Sequence, residues 1–245
     1  YFQEYIKPRK SNGLGDYIDL GMIPNIDGLY RNDLVVHSGS TPKDADFQGI
    51  LISHGHGDHV DHATFLHEDI PIYMGKTTKG ILQALFEMQG RRDREILDFK
   101  ELGSTRKDAA IQRDIQEFSS GDKFKIDSLE ILPIHVDHSI PGTYGFIIYT
   151  SSGPIVYTAD LRLHGMKPEM TREFIDAAKK EKPIALLAEG THIKDPPKDE
   201  SEEKVFTDGL GIVSRENSFV FADFNPRDVD RLRTFYNIAK RTNRK

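Results

Sequence analysis

The segment Ser53-His54-Gly55-His56-Gly57-Asp58-His59-Val60-Asp61-His62 places four histidines and two aspartates within ten residues, directly behind the apolar run Gly49-Ile50-Leu51-Ile52. Imidazole and carboxylate are the donor types that hold zinc or a similar divalent ion. Glycines between them let a chain fold back on itself so that several donors converge. Neither regular element does this. On a strand His54, His56 and Asp58 share one face and His59 falls on the other; on a helix His54 and His56 point well apart. The spacing therefore predicts a strand ending at Ser53 that feeds a tight metal-binding loop. An incidental histidine tract on the surface is the weaker reading, because such a tract has no reason to alternate with glycine behind an apolar strand or to carry carboxylates at set offsets.

The form His-x-His-x-Asp-His resembles the signature of the metallo-β-lactamase superfamily, in which the first two histidines hold one metal and the Asp-His pair holds a second. Whether that resemblance extends further depends on which other elements can bring donors to the loop.

A chain of 245 residues with 37% hydrophobic content can build one large core, or one domain and part of another. No apolar run approaches a membrane span, and the amino terminus lacks the basic-then-apolar pattern of a signal peptide, so a soluble, cytoplasmic protein with no membrane partner is expected. With no cysteine, disulfides and Cys-ligated zinc or iron–sulfur sites are excluded. A net charge of -6 and a pI of about 5.9 argue against a surface that is basic throughout. Local basic clusters remain at Arg91-Arg92-Asp93-Arg94 and Lys240-Arg241-Thr242-Asn243-Arg244-Lys245, each more simply read as a solvated face.

Stepping along the chain, Asp16 to Gly21 reads as a strand, Gly49 to Ser53 as the strand behind the metal loop, and Ile70 to Met74 as another. Thr77 to Gln89 reads as a helix with Ile81, Leu82, Leu85 and Met88 on one face and Gly90 as its stop. Arg91 to Ser120 is charged and sparse in apolar residues, and reads as an exposed helical insertion. Phe124 to Ile126, Leu129 to Ile134, Tyr144 to Thr150 and Pro154 to Thr158 read as successive strands, with Ser151-Ser152-Gly153 as a hairpin turn. Phe174 to Lys180 reads as a short helix, Ile184 to Ala188 as a buried strand, and Asp195 to Glu203 as a polar linker. Ser218 to Phe224 then reads as a strand and Pro226 to Lys240 as a helix with proline in its first turn.

Three polar groups close apolar strands, where a sheet presents side chains from its loops. In Pro133-Ile134-His135-Val136-Asp137-His138, His135 reads as a core histidine and His138 as a ligand. Asp160 follows Val156-Tyr157-Thr158-Ala159; alone it would be a cap, whereas beside a metal pair a bridging carboxylate is the better reading. Glu189 ends Leu186-Leu187-Ala188, and a catalytic role and a structural hydrogen bond are balanced there.

The order Ile18-Asp19-Leu20-Gly21, His54 to His59, Asp137-His138-Ser139-Ile140-Pro141-Gly142, Thr158-Ala159-Asp160-Leu161 and Glu189-Gly190-Thr191 resembles the β-CASP branch of that superfamily, and within it the ribonuclease J type. Ala222-Asp223-Phe224-Asn225-Pro226 resembles the opening of a β-CASP domain. The resemblance implies an α/β (α+β) fold, the αββα sandwich of the superfamily, over residues 1–213, and the first strand and helix of a β-CASP domain over residues 214–245. It implies two divalent ions, zinc or manganese. His54, His56 and His138 would bind one, Asp58, His59 and Asp160 the other, with Asp160 bridging. Asp19 would orient the metal loop. Asp58 and Glu189 would be catalytic, and Ser139 would lie near a substrate phosphate. His62 and His164 have no counterpart role, a loop contact being expected for the first.

The function implied is a metal-dependent hydrolase cleaving RNA phosphodiesters, with RNA as partner and self-association into a homo-oligomer left open. The same metal site would also suit DNA, a thioester, a lactam or a small ester, and a noncatalytic RNA- or protein-binding module is the reading from another class. The family's last metal-binding histidine and most of its cap would lie beyond residue 245, so this chain alone is expected to be incomplete and inactive.

Overall fold

A computed structural model describes residues 12–89, 96–105, 108–191, 193–194, 200–225 and 227–244. The basic cluster Arg91 to Arg94, the helix stop Gly90, His192, the segment 195–199 and Pro226 lie outside them. The chain divides into two compact units, Tyr1–Ile52 with His56–Met74 and Lys79–Glu117, and Ser53–Gly55 with Gly75–Thr78 and Phe118–Lys245.

Among the described residues the first unit opens with helix α1 (Gly15–Asp19), where the short apolar stretch Asp16 to Gly21 suggested a strand. Leu14 is fully buried and packs with Ile23 and Tyr30, while Asp19 is exposed; five residues satisfy a helical turn as readily as a strand, and tertiary packing decides. Strand β1 (Ile50–Ile52) pairs in parallel with β2 (Ile72–Gly75), Leu51 opposite Tyr73. The metal motif continues into α2 (Gly57–Val60) and a 3-10 turn (Asp61–Phe65), and β2 leads into α3 (Lys76–Gln89). Ile52, Val60, Ala63, Leu66, Ile72, Met74 and Leu82 form one apolar cluster, so both ends of the motif's helical stretch are anchored by burial.

Among its described residues the charged stretch after α3 contains no helix, contrary to the helical insertion expected. It contributes β3 (Asp98–Phe99) paired antiparallel with β4 (Ile111–Gln112), and β5 (Ile115–Phe118), which joins the sheet in the order β1-β2-β5. Of its sparse apolar residues Ile96 and Phe99 are each 2% exposed, whereas Ile111 is 39% exposed. The Arg31 guanidinium lies 3.9 Å from the Phe99 ring centroid and that of Arg113 lies 4.7 Å away. Both arginines donate to the Thr64 carbonyl and Arg113 also to that of Leu66, satisfying acceptors that the 3-10 turn leaves open. Charged side chains thus do the covering that periodicity assigns to apolar ones.

The second unit is built on a five-stranded sheet in the order β10-β9-β8-β7-β6, from β6 (Phe124–Ile126), β7 (Leu129–His135), β8 (Tyr144–Thr150), β9 (Gly153–Tyr157) and β10 (Ala185–Leu187). β6 to β9 are antiparallel neighbours and β10 runs parallel to β9, as its crossover through α4 (Pro168–Glu181) requires. Phe174 and Ala178 of α4 pack on Val136, Ile147 and Val156. The helix extends well beyond Phe174 to Lys180, with Pro168 in its first turn.

β10 is a strand but not a buried one, since Leu186 and Leu187 are 63% and 54% exposed. Ser218 to Phe224 forms no strand, and Phe219 and Phe221 are exposed, stacked edge to face on each other. In both places hydrophobicity alone was a poor guide, because an apolar strand needs a neighbour as well as a composition.

A helix unforeseen in the sequence, α5 (Glu202–Arg215), begins where a linker was expected, its Ser201 cap accepting from Lys204 N, and runs across residue 213. It pairs with α6 (Val229–Arg241), capped by Asp228. Glu202, 4% exposed, accepts from Arg231 Nη2 at 2.8 Å and from Thr234 Oγ1 at 3.1 Å. Burial disfavours its charge, but the Arg231 hydrogen bonds and charge and the Thr234 hydroxyl outweigh it and hold the carboxyl below its ordinary value.

Candidate metal centre

The loop after β1 is seated on β8. Tyr144 N donates to Ser53 O at 3.1 Å, which fixes where His54 leaves the strand. Gly75 makes room for this: a Cβ there would stand 2.1 Å from the Tyr144 ring. His54 is fully buried.

The loop after β7 brings His138. It is closed by Val136 N donating to Thr143 O at 3.0 Å and by Thr78 Oγ1 donating to Gly142 O at 2.8 Å. Gly142 is required at its corner, with φ 79° and a Cβ position 2.8 Å from Thr77. The loop after β9 brings Asp160. The preceding Ala159 holds φ 51°, a left-handed conformation that non-glycine residues adopt at a cost, and this turn directs the Asp160 carboxylate back to the histidines.

Asp160 Oδ2 lies 3.7 Å from His54 Nε2 and 3.6 Å from His138 Nε2, and the two imidazoles meet edge to face with centroids 4.9 Å apart. With His56 added, one donor atom from each of His54, His56, His138 and Asp160 lies within 4.8 Å of the others. A tetrahedral cation with arms of the usual length needs ligand atoms about 3.4 Å apart. The separations of Asp160 from His54 and His138 exceed this by a few tenths of an ångström, and the nitrogen-oxygen donor set suits zinc or a similar metal.

Of the six residues expected as ligands, these four converge. The other two, Asp58 and His59, are not within the quartet; they sit together on α2, Asp58 Oδ2 3.6 Å from His59 Nε2, with Asp58 78% exposed and His59 22%. Glu189 is exposed, and its Oε1 accepts from Leu161 N at 3.4 Å, which sets it beside the Asp160 loop. Ser139 is half-buried and its carbonyl accepts from Val229 N at 3.2 Å. His164 is exposed, as is His62, whose ring stacks on Phe65. His135 is half-buried against Tyr144, and burial, helped by the Lys167 charge, pushes its pKa down.

Sequence reasoning missed two residues here. Ser53 Oγ lies 3.0 Å from His54 Nδ1, and Tyr157 bonds the Ser53 hydroxyl in turn. For Nε2 to face the cation, Nδ1 must keep the proton and donate to Ser53, so the pair selects the tautomer that coordination needs. Ser53 carries a detectable signal, a hydroxyl directly before the motif's first histidine. Tyr157 carries none, since only the β8–β9 register brings it there. Burial raises the Tyr157 pKa, the Ser53 bond opposes this, and the Asp160 charge adds to it.

The family described as "Beta-lactamase superfamily domain" matches residues 26–180. Ribonuclease J of Thermus thermophilus is 24% identical over 208 residues, covering 80% of this chain and 33% of the relative. Ribonuclease J of Pyrococcus abyssi is 28% identical over 196 residues, covering 76% and 36%. The chain thus spans about a third of the length of these curated relatives. A crystal structure of a protein of unknown function from Enterococcus faecalis V583 superposes with a TM-score of 0.73 at 25% identity, covering 96% of this chain and 55% of that one.

Proposed function

Because the chain belongs to the metallo-β-lactamase superfamily, we propose that it is the metal-binding part of a hydrolase that cleaves phosphodiesters, with RNA as its substrate. The convergence of His54, His56, His138 and Asp160 from three separate loops carries this reading, and the ribonuclease J relatives favour RNA within it. A divalent cation held there would supply Lewis acidity and positive charge to an anionic phosphodiester.

The chain's own residues take the remaining tasks. His54, oriented by Ser53, His56, His138 and Asp160 would hold the cation, and the Asp160 carboxylate would be shared with a second one. Asp58 and His59 are the proposed donors for that second cation. The open Asp58 carboxylate also serves as base toward the attacking water. Glu189, solvent-facing beside the Asp160 loop, assists protonation of the leaving oxygen. Residues 214–245 would open a β-CASP domain, which shapes the substrate groove.

The test is elemental analysis of the full-length protein followed by turnover of labelled RNA, DNA and a thioester. RNA cleavage that chelation abolishes and zinc or manganese restores is expected. Turnover of the thioester alone would replace the substrate class, and bound metal without turnover of any of the three would leave a binding module.

A further inference from the structure

We infer that Arg162 is a positioning residue that ties the His138 and Asp160 loops to each other and to helix α6, so that the seating of α6 sets how tightly the metal quartet is held. The inference rests on the metal reading above and adds to it a link to a helix outside the quartet.

Arg162 lies two residues beyond Asp160, and its side chain is only 10% exposed. Its backbone N–H donates to Asp137 O at 2.9 Å, and its Nε donates to Asp137 Oδ1 at 3.2 Å. Asp137 immediately precedes His138 and is itself 4% exposed. Its other carboxylate oxygen accepts from Lys167 N at 3.3 Å, and its own N–H donates to Thr171 Oγ1 at 2.9 Å. A buried carboxylate of this kind needs a paired charge, and the Arg162 guanidinium supplies it. The space is reserved for the pair: a Cβ on Gly165 would stand 2.2 Å from Arg162 Nε and 2.3 Å from Asp137 Oδ2.

The far side of the same guanidinium reaches α6, where Nη2 pairs with Asp230 Oδ2. Asp230 Oδ2 also accepts from Met166 N at 3.4 Å. A second tie runs in parallel, from Val229 N of α6 to Ser139 O, the residue after His138. The first turn of α6 therefore grips the His138 loop from both sides, through backbone at Ser139 and through Arg162 at Asp137. α5 reinforces the grip, since Glu202 N donates to His164 O at 3.0 Å while its carboxylate holds Arg231. A fork with several donors in one plane can span two carboxylates at once; an ammonium is a single point and cannot do so in the same geometry.

The experiment measures Zn2+ affinity by chelator competition, at a temperature where every variant is folded by circular dichroism, for the parent protein, Arg162→Ala, Arg162→Lys and Asp230→Asn. The expected result is a loss of about ten- to a hundredfold in affinity for Arg162→Ala, the range seen when groups orienting metal ligands are removed, with partial rescue in Arg162→Lys. A smaller loss, of about threefold or more, is expected for Asp230→Asn, since Asp230 bonds the Asp160 loop at Arg162 and Met166 and acts on the ligands through them. Asp230→Asn guards against a misfolded Arg162→Ala, being isosteric and partly exposed. Parent-like affinity in Asp230→Asn overturns the link to α6, and parent-like affinity in Arg162→Ala overturns the whole inference. A parent that binds Zn2+ but cleaves no phosphodiester leaves the inference standing and removes the proposed function; a parent that binds no Zn2+ removes both.

Discussion

Two parts of one ten-residue motif end in different circumstances. His54 is fully buried, pinned through Ser53 to β8, and meets His138 and Asp160 from loops more than 80 residues away in the chain. Asp58 and His59, only a few residues further on, ride the short helix α2 with the aspartate open to solvent. The first part is held by tertiary structure and the second by local structure. A buried donor set is preorganised and binds a cation without much reordering, whereas an exposed aspartate loses side-chain freedom on binding and is the more adaptable group.

The sharpest way to break that contrast is His138→Ala. Removing a donor from the preorganised quartet is expected to lower cation affinity by more than about a hundredfold, beyond the effect of losing an orienting group, as read by chelator competition. Asp58→Asn tests the other part: the bound-metal count should fall while the tightest site persists, with phosphodiester turnover lost. If both variants weaken the same tight site equally, the two parts are one site and the contrast fails. Ser53→Ala probes preorganisation itself. About a tenfold loss of affinity is expected, with a stability change of about 1 kcal/mol in thermal unfolding, because His54 loses the partner that selects its tautomer. The smallest effect belongs to Ala159→Gly, which relieves a left-handed backbone but adds chain entropy to the unfolded state. Stability should stay within about 1 kcal/mol of the parent, by denaturant titration, and cation affinity should be unchanged.

The metal loop was legible because its information is local: donor types, glycines and the strand behind them all lie in fourteen consecutive residues, Gly49 to His62. His138 and Asp160 were legible by their positions at strand ends and by family resemblance, since no spacing rule links residues so far apart. The strands β6 to β9 followed from runs of β-branched and aromatic residues. What escaped was set by partners. The stretch around Phe99 looks too polar for a sheet until Arg31 and Arg113 lie over its ring. Leu186 and Leu187 look too apolar for a surface, yet both are largely exposed. Nothing in the sequence around Arg162 points to a role, since its partners Asp137 and Asp230 both lie far from it along the chain.

Gly75 has a bearing on how this protein can change. Its bare α-carbon admits the Tyr144 ring, and the backbone of Tyr144 holds the residue before His54. Alanine, the mildest replacement available, would drive a methyl into that ring and so reach the first histidine without altering any donor. Mutational drift at the metal centre is therefore constrained by a position that contributes no atom to it, and a survey of tolerated substitutions that scored only the polar residues would overlook it.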